Sequence, residues 1–136
     1  MSHNNFGNFH EGDFEGLKNL EKLDLSNNNL NADSLFSFGN HGNLRSLNLN
    51  YNFVNGYFYT LRVNYNYSKL EQFSLRNVYI DNLAEDFLVH FPRLHKLDLS
   101  QNKFALNYFD TLLKNIPTSV KYLILENNNK IKWIAN

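Results

Sequence analysis

Two histidines, His90 and His95, stand close enough in the chain to raise the question of a shared metal ion. Pro92 lies between them, placing one near a helix end and the other on the following strand, so their imidazoles do not converge on a tetrahedral site. Cysteine is absent, which removes thiol nucleophiles, cysteine-ligated zinc and disulfides. No serine or threonine has a base and an oxyanion donor at a recognisable spacing, and no glycine-rich phosphate loop follows a strand pattern. Asp and Glu are scattered along the chain, as on a solvated surface. These residues predict no metal, no cofactor and no enzyme. The one modification signal is the N-glycosylation sequon at Asn66, Asn66-Tyr67-Ser68, which matters only if the chain is secreted.

Thirteen basic residues balance thirteen acidic ones, so no long-range field favours nucleic acid or an anionic membrane surface. No apolar run is long enough for membrane insertion, and Met1 to Phe14 lacks the basic start and apolar stretch of a signal peptide. The expected compartment is intracellular for a complete chain, and extracellular or cell-surface for a piece of a receptor ectodomain. At 136 residues and 43% hydrophobic composition, the chain suits one domain with a buried core. Asparagine is the compositional outlier, much of it at turn positions where its side chain bonds local backbone and tolerates left-handed conformations.

What must position any site is a repeat. In Leu94 to Phe104, reading LHKLDLSQNKF, apolar residues fall at relative positions 1, 4, 6 and 11, with asparagine at 9. The alternation around positions 4 and 6 is that of a short strand with one buried face. The spacing recurs at Leu20-Leu23-Leu25-Asn28-Leu30, Leu44-Leu47-Leu49-Asn52-Val54 and Leu70-Phe73-Leu75-Val78-Ile80. It returns in degraded form at Val120-Leu123-Leu125-Asn128-Lys130. Repeats starting near 20, 44, 70, 94 and 120 are spaced by 24, 26, 24 and 26 residues. That period accommodates one strand and a return segment per unit, as in a solenoid.

The returns supply the second apolar set. Asn82-Leu83-Ala84-Glu85 reads as a capping box opening a helix that Pro92 stops. Asn107 to Ile116 has helical spacing and ends before Pro117. Ser34 to Phe38 predicts a brief helical turn ended by Gly39, and residues 55–69 carry no clear pattern. Residues 1–16 read as a tail or partial cap and 17–136 as the repeat domain. Asn28, Asn52, Asn102 and Asn128 are expected to form a buried ladder satisfying turn backbone, interrupted at Val78.

LEKLDLSNNNL, LRSLNLNYNFV and LHKLDLSQNKF resemble the leucine-rich repeat family over roughly residues 17 to 130. The stretch from Phe14 into Leu-Asp-Leu-Ser-Asn-Asn is similar to animal cell-surface types, Toll-like or chaoptin-like. The resemblance implies an α/β class, right-handed horseshoe solenoid, with parallel strands on the concave side and short helices or turns on the convex side. It implies a non-enzymatic protein-protein interaction module whose protein ligand binds the concave sheet. Two departures, no cysteine-rich caps and no clear polar cap at the end, point to the alternative of an interior piece of a longer receptor-type array. Trp133 and Ile134 are expected to cover the last core layer; uncapped ends would self-associate.

In this register, positions 2, 3, 5, 7 and 8 are expected to face outward, carrying five basic and five acidic residues interspersed. The partner-binding candidates are Lys22, Asp24, Arg45, Asn48, Glu71, Ser74, Arg76, Lys96, Asp98, Lys121, Tyr122 and Glu126. Mixed charge suits a protein with complementary charges better than a phosphate backbone. A second candidate is the aromatic cluster Tyr51, Phe53, Tyr57, Phe58, Tyr59, Tyr65 and Tyr67, in which exposed tyrosines would anchor an interface and Phe58 would fill core.

Overall fold

A computed structural model of the chain describes residues 1–7, 9–10, 12–31, 41–52, 60–61, 63 and 65–128. Five three-residue strands form one parallel sheet: β1 (Lys22–Asp24), β2 (Ser46–Asn48), β4 (Gln72–Ser74), β6 (Lys96–Asp98) and β7 (Tyr122–Ile124). They lie in the order β1-β2-β4-β6-β7. The register follows the repeat, with Leu23 beside Leu47, Leu47 beside Phe73, Phe73 beside Leu97 and Leu97 beside Leu123. Leu23, Leu47, Phe73 and Leu97 are buried and form one file, while Leu123 is half-buried. Position 6 repeats the arrangement, with Leu25, Leu49, Leu75 and Leu99 buried and Leu125 half-buried. Each fully buried Leu or Phe contributes about 1.5–3 kcal/mol relative to exposure, and stacking lets successive coils share that burial.

The return side closes this core with rings. Phe91 packs against Phe73 at 5.2 Å, Phe87 at 5.3 Å and Tyr67 at 5.8 Å between ring centroids. Helix α1 (Leu106–Asn115) buries Phe109 and Leu112, and Phe109 meets Phe104 edge-on. Its bounds lie within a residue of those the spacing predicts. The capping-box expectation fails. Asn82 belongs to β5 (Asn82–Leu83), which pairs in parallel with β3 (Thr60–Leu61). The helical turn there is a 3-10 segment, Phe87–His90, preceded by Asp86 with no side-chain cap bond. Pairing with β3 holds residues 82–83 extended, so the local capping motif is overridden. Ser34 to Phe38, Trp133 and Ile134 lie outside the described residues.

Every turn leaving the sheet uses the same backbone device. Asn27, Tyr51, Asn77, Gln101 and Asn127, all at position 8, have φ between 52° and 57°. Asparagine tolerates this left-handed region, and tyrosine and glutamine adopt it here because the coil geometry requires it.

Residues 1–5 lie against the first of these turns. The His3 N–H donates to the Ser26 carbonyl at 3.1 Å and the Asn4 N–H to Asn28 Oδ1 at 3.0 Å. The second bond repeats, 24 residues earlier, the one from the Asn28 N–H to Asn52 Oδ1 at 3.1 Å. Phe9 and Phe14 are buried beyond it, 5.0 Å apart, and Phe14 packs edge-on to the buried His41.

Candidate functional site: the outward sheet face

Side chains on either side of the buried file point away from the core, since successive residues of a strand face opposite sides. Lys22, Asp24, Arg45, Lys96, Lys121, Tyr122 and Glu126 are exposed; Asn48, Glu71, Ser74, Arg76 and Asp98 are half-buried. Parallel pairing brings the strand residues among them onto five adjacent strands.

Neighbouring coils bond across this face. Arg45 Nη1 donates to Glu71 Oε1 at 2.5 Å, and Asn48 Nδ2 donates to Asp24 Oδ2 at 3.1 Å. Lys96, Lys121 and Arg76 form no ion pair among the described residues. The Arg76 Nε is buried without a hydrogen-bond partner, so that guanidinium is only partly satisfied. Lys96, Lys121, Tyr122, Leu123 and Ile124 line a shallow depression of about 420 Å³ at the β7 side of the sheet.

Position 7 departs from the expected outward wall. Ser26 and Ser100 are buried. Each donates twice to the aspartate two residues earlier: the Ser26 N–H and hydroxyl reach Asp24 Oδ1 at 2.9 and 2.6 Å, and Ser100 does the same to Asp98 Oδ1. Asn48 Oδ1 accepts the Asn50 N–H at 3.1 Å in the intervening coil. Burial raises the pKa of the Asp24 carboxyl, but the hydrogen bonds from Ser26 and Asn48 outweigh it and hold it below its ordinary value. The signal for these turns was the Asp-Leu-Ser triplet itself, an acceptor two residues before a donor.

The position-9 asparagines face inward and are buried. Asn52 Oδ1 accepts the N–H groups of Asn28 and Leu30, each at 3.1 Å, while its Nδ2 donates to the Leu25 and Leu49 carbonyls. Asn102 accepts from Val78 N–H and donates to the Leu75 and Leu99 carbonyls. Asn128 Nδ2 likewise reaches the Leu99 and Leu125 carbonyls. These residues are part of the framework and are not accessible to a partner.

The aromatic cluster is not one patch. Tyr67 is fully buried against Phe91, Tyr65 is half-buried and Tyr51 is exposed. Phe53, Tyr57, Phe58 and Tyr59 lie outside the described residues. Tyr67 is pulled inward because its ring fills the space over Phe91, a role its neighbours in sequence do not reveal. Asn66 is exposed beside it. His90 is half-buried and His95 exposed, and among the described residues no three His, Asp or Glu side chains gather to hold a cation. No helix there is long and apolar enough to cross a membrane.

No curated protein and no solved structure matches the chain. Leucine-rich repeat domains generally mediate protein–protein interaction and are typically non-enzymatic. A family model described as leucine rich repeat matches residues 1–54, which take in the first coil and the strand and turn of the second, and the same spacing and strand register continue through β7.

Proposed function

We propose that the chain is a non-enzymatic recognition module that binds a protein ligand on the outward face of its sheet. In this reading the coils follow a right-handed horseshoe and the sheet is its concave wall. The ligand contacts are drawn from Lys22, Asp24, Arg45, Asn48, Glu71, Ser74, Arg76, Lys96, Asp98, Lys121, Tyr122 and Glu126. Asn28, Asn52, Asn102 and Asn128 serve as the internal ladder that keeps the wall in register. The observation that supports this most is the unbroken parallel pairing from β1 to β7, which makes one continuous surface of residues distant in sequence. A rigid wall loses little conformational freedom on binding, and its mixed charge gives specificity through complementarity.

The test is capture of partners by the intact chain and by the Arg45→Glu, Arg76→Glu, Lys96→Glu variant. Loss of a specific partner at unchanged thermal unfolding supports the sheet face. The same partners from both proteins would move the site elsewhere.

Val120, Leu123 and Leu125 favour one further reading, because they are half-buried where most of their counterparts in the preceding coils are buried. That side of the last described coil would then pack against a second apolar surface, another copy of this chain included. Sedimentation over a rising concentration series tests it, and an invariant monomer would refute self-association.

A further inference from the structure

The outward slots of the sheet are polar on every strand except the last. Position 3 runs Lys22, Ser46, Gln72, Lys96 and then Tyr122; position 5 runs Asp24, Asn48, Ser74, Asp98 and then Ile124. β7 therefore turns two outward slots of one strand apolar, and Tyr122 is 65% exposed. Lys96 is the register neighbour of Tyr122, and Lys121 precedes it. Together with Leu123 and Ile124 these side chains line the 420 Å³ depression.

The two lysines here are exposed and not held by a neighbouring acid, unlike Arg45. Arg45 is occupied by Glu71. Asp98, on the same strand as Lys96, has Oδ1 engaged by both donors of Ser100. Neither Lys96 nor Lys121 has an ion pair among the described residues. A simple anion would leave Tyr122 and Ile124 uncovered, and a purely apolar ligand would desolvate the lysines without compensation. A ligand that satisfies both carries carboxylates on either side of an apolar side chain, as an extended peptide does within a few residues.

We propose that the β6–β7 end of the sheet is a docking subsite for an acidic segment of a protein partner, its carboxylates on Lys96 and Lys121 and an apolar side chain over Tyr122 and Ile124. This rests on the reading of the sheet face as the binding surface. The probe is a fluorescein-labelled octapeptide alternating glutamate and leucine, titrated with the intact chain by fluorescence anisotropy. Two comparison peptides replace its glutamates by glutamine, or its leucines by glutamate. Saturable binding of the glutamate–leucine peptide is expected. It should weaken about tenfold or more in the Lys96→Glu, Lys121→Glu double variant, in Tyr122→Ser and on the glutamine peptide. Lys114→Glu, on the exposed side of α1, should bind as the native chain does.

Equal binding by the native chain and the double variant would overturn the proposal. So would equal binding of the glutamine peptide, which removes the electrostatic component, or of the all-glutamate peptide, which removes the apolar one. Displacement of the peptide by phosphatidylserine vesicles would assign the lysines to a lipid surface instead. If the native chain binds no peptide, the acidic-segment inference falls, while partner capture still decides the sheet-face reading. Thermal unfolding of each variant separates lost contacts from lost folding, because Lys96, Lys121 and Tyr122 are exposed.

Discussion

Replacing Asn52 by alanine removes four hydrogen bonds at once. The Leu25 carbonyl keeps a second donor, Asn28 Nδ2 at 2.9 Å. The remaining groups that relied on the amide are the N–H of Asn28, the N–H of Leu30 and the carbonyl of Leu49. Asn28, Leu30 and Leu49 are all fully buried. Each unsatisfied buried group costs about 1–3 kcal/mol, so the unrelaxed total of about 3–9 kcal/mol is comparable with the whole stability of a small domain. The cavity left by the truncated amide is polar and close to the size of one water, which could restore two or three of the bonds. We therefore expect a net loss of about 3 kcal/mol, the upper part of the range for one lost buried partner.

The assay is urea unfolding followed by circular dichroism, with Asn52→Ala compared against Asn29→Ala. Asn29 is exposed and, among the described residues, its side chain bonds that of Asn5. Asn29 also holds φ at 54°, a left-handed backbone that alanine adopts only with strain, so its replacement should cost about 1–2 kcal/mol. A midpoint for Asn52→Ala within that smaller range would refute the claim that these amides hold adjacent coils together.

Val78→Asn addresses the same bonds from the other side. A buried amide placed without partners ordinarily costs about 2–7 kcal/mol, yet here it would lie between the carbonyls of Leu49 and Leu75; a loss below about 1 kcal/mol in urea unfolding is expected, and a full penalty would show that the third coil is offset from its neighbours. Phe91→Ala removes the ring shared by Phe73, Phe87 and Tyr67 and should cost about 3–5 kcal/mol by the same measurement. Burial, with the neighbouring Tyr65, pushes the Tyr67 phenol well above its ordinary range. The unfolded chain releases that proton first, so the stability it supports is complete below about pH 10 and is lost as pH rises toward the folded value. Tyr67→Phe should flatten that alkaline decline, and an unchanged slope would mean the phenol is not sequestered.

The file Leu23-Leu47-Phe73-Leu97-Leu123 was legible because two periods agree on it, the alternation within each strand and the repeat between strands. Neither period reaches the returns. β3 and β5 have two residues each, too few for a pattern, and exist because one coil lies beside the next. That is why Asn82-Leu83-Ala84-Glu85 misleads: a helix-start motif read in isolation loses to a backbone pairing supplied from 22 residues away. Tyr67 misleads for a similar reason, since only the position of Phe91 determines that its ring turns inward. On the candidate face, the side chains of the strand residues followed from alternation, but Ser26 and Ser100 lie past the strand, where the chain has already begun to turn and alternation no longer applies.

That last distinction bears on how charge on the face is used. Asp24 counts as a surface acid in sequence, yet it anchors the turn through Ser26 and accepts from Asn48. If the turn is its main role, Asp24→Asn should be nearly silent in stability, because an amide oxygen performs this task one coil later, where Asn48 Oδ1 accepts the Asn50 N–H. Asp24→Ala should cost about 1 kcal/mol, the net worth of a typical hydrogen bond. The native carboxyl is held below its ordinary value, so its contribution is present above the unfolded pKa and is lost as pH falls through the folded one. Asp24→Asn should lose that acid dependence while keeping the neutral-pH stability. If the two variants lose stability equally, charge matters at this position and geometry does not. If neither does, Asp24 is free to serve a ligand, and the face presents a more acidic surface at its β1 end than the hydrogen bonds imply.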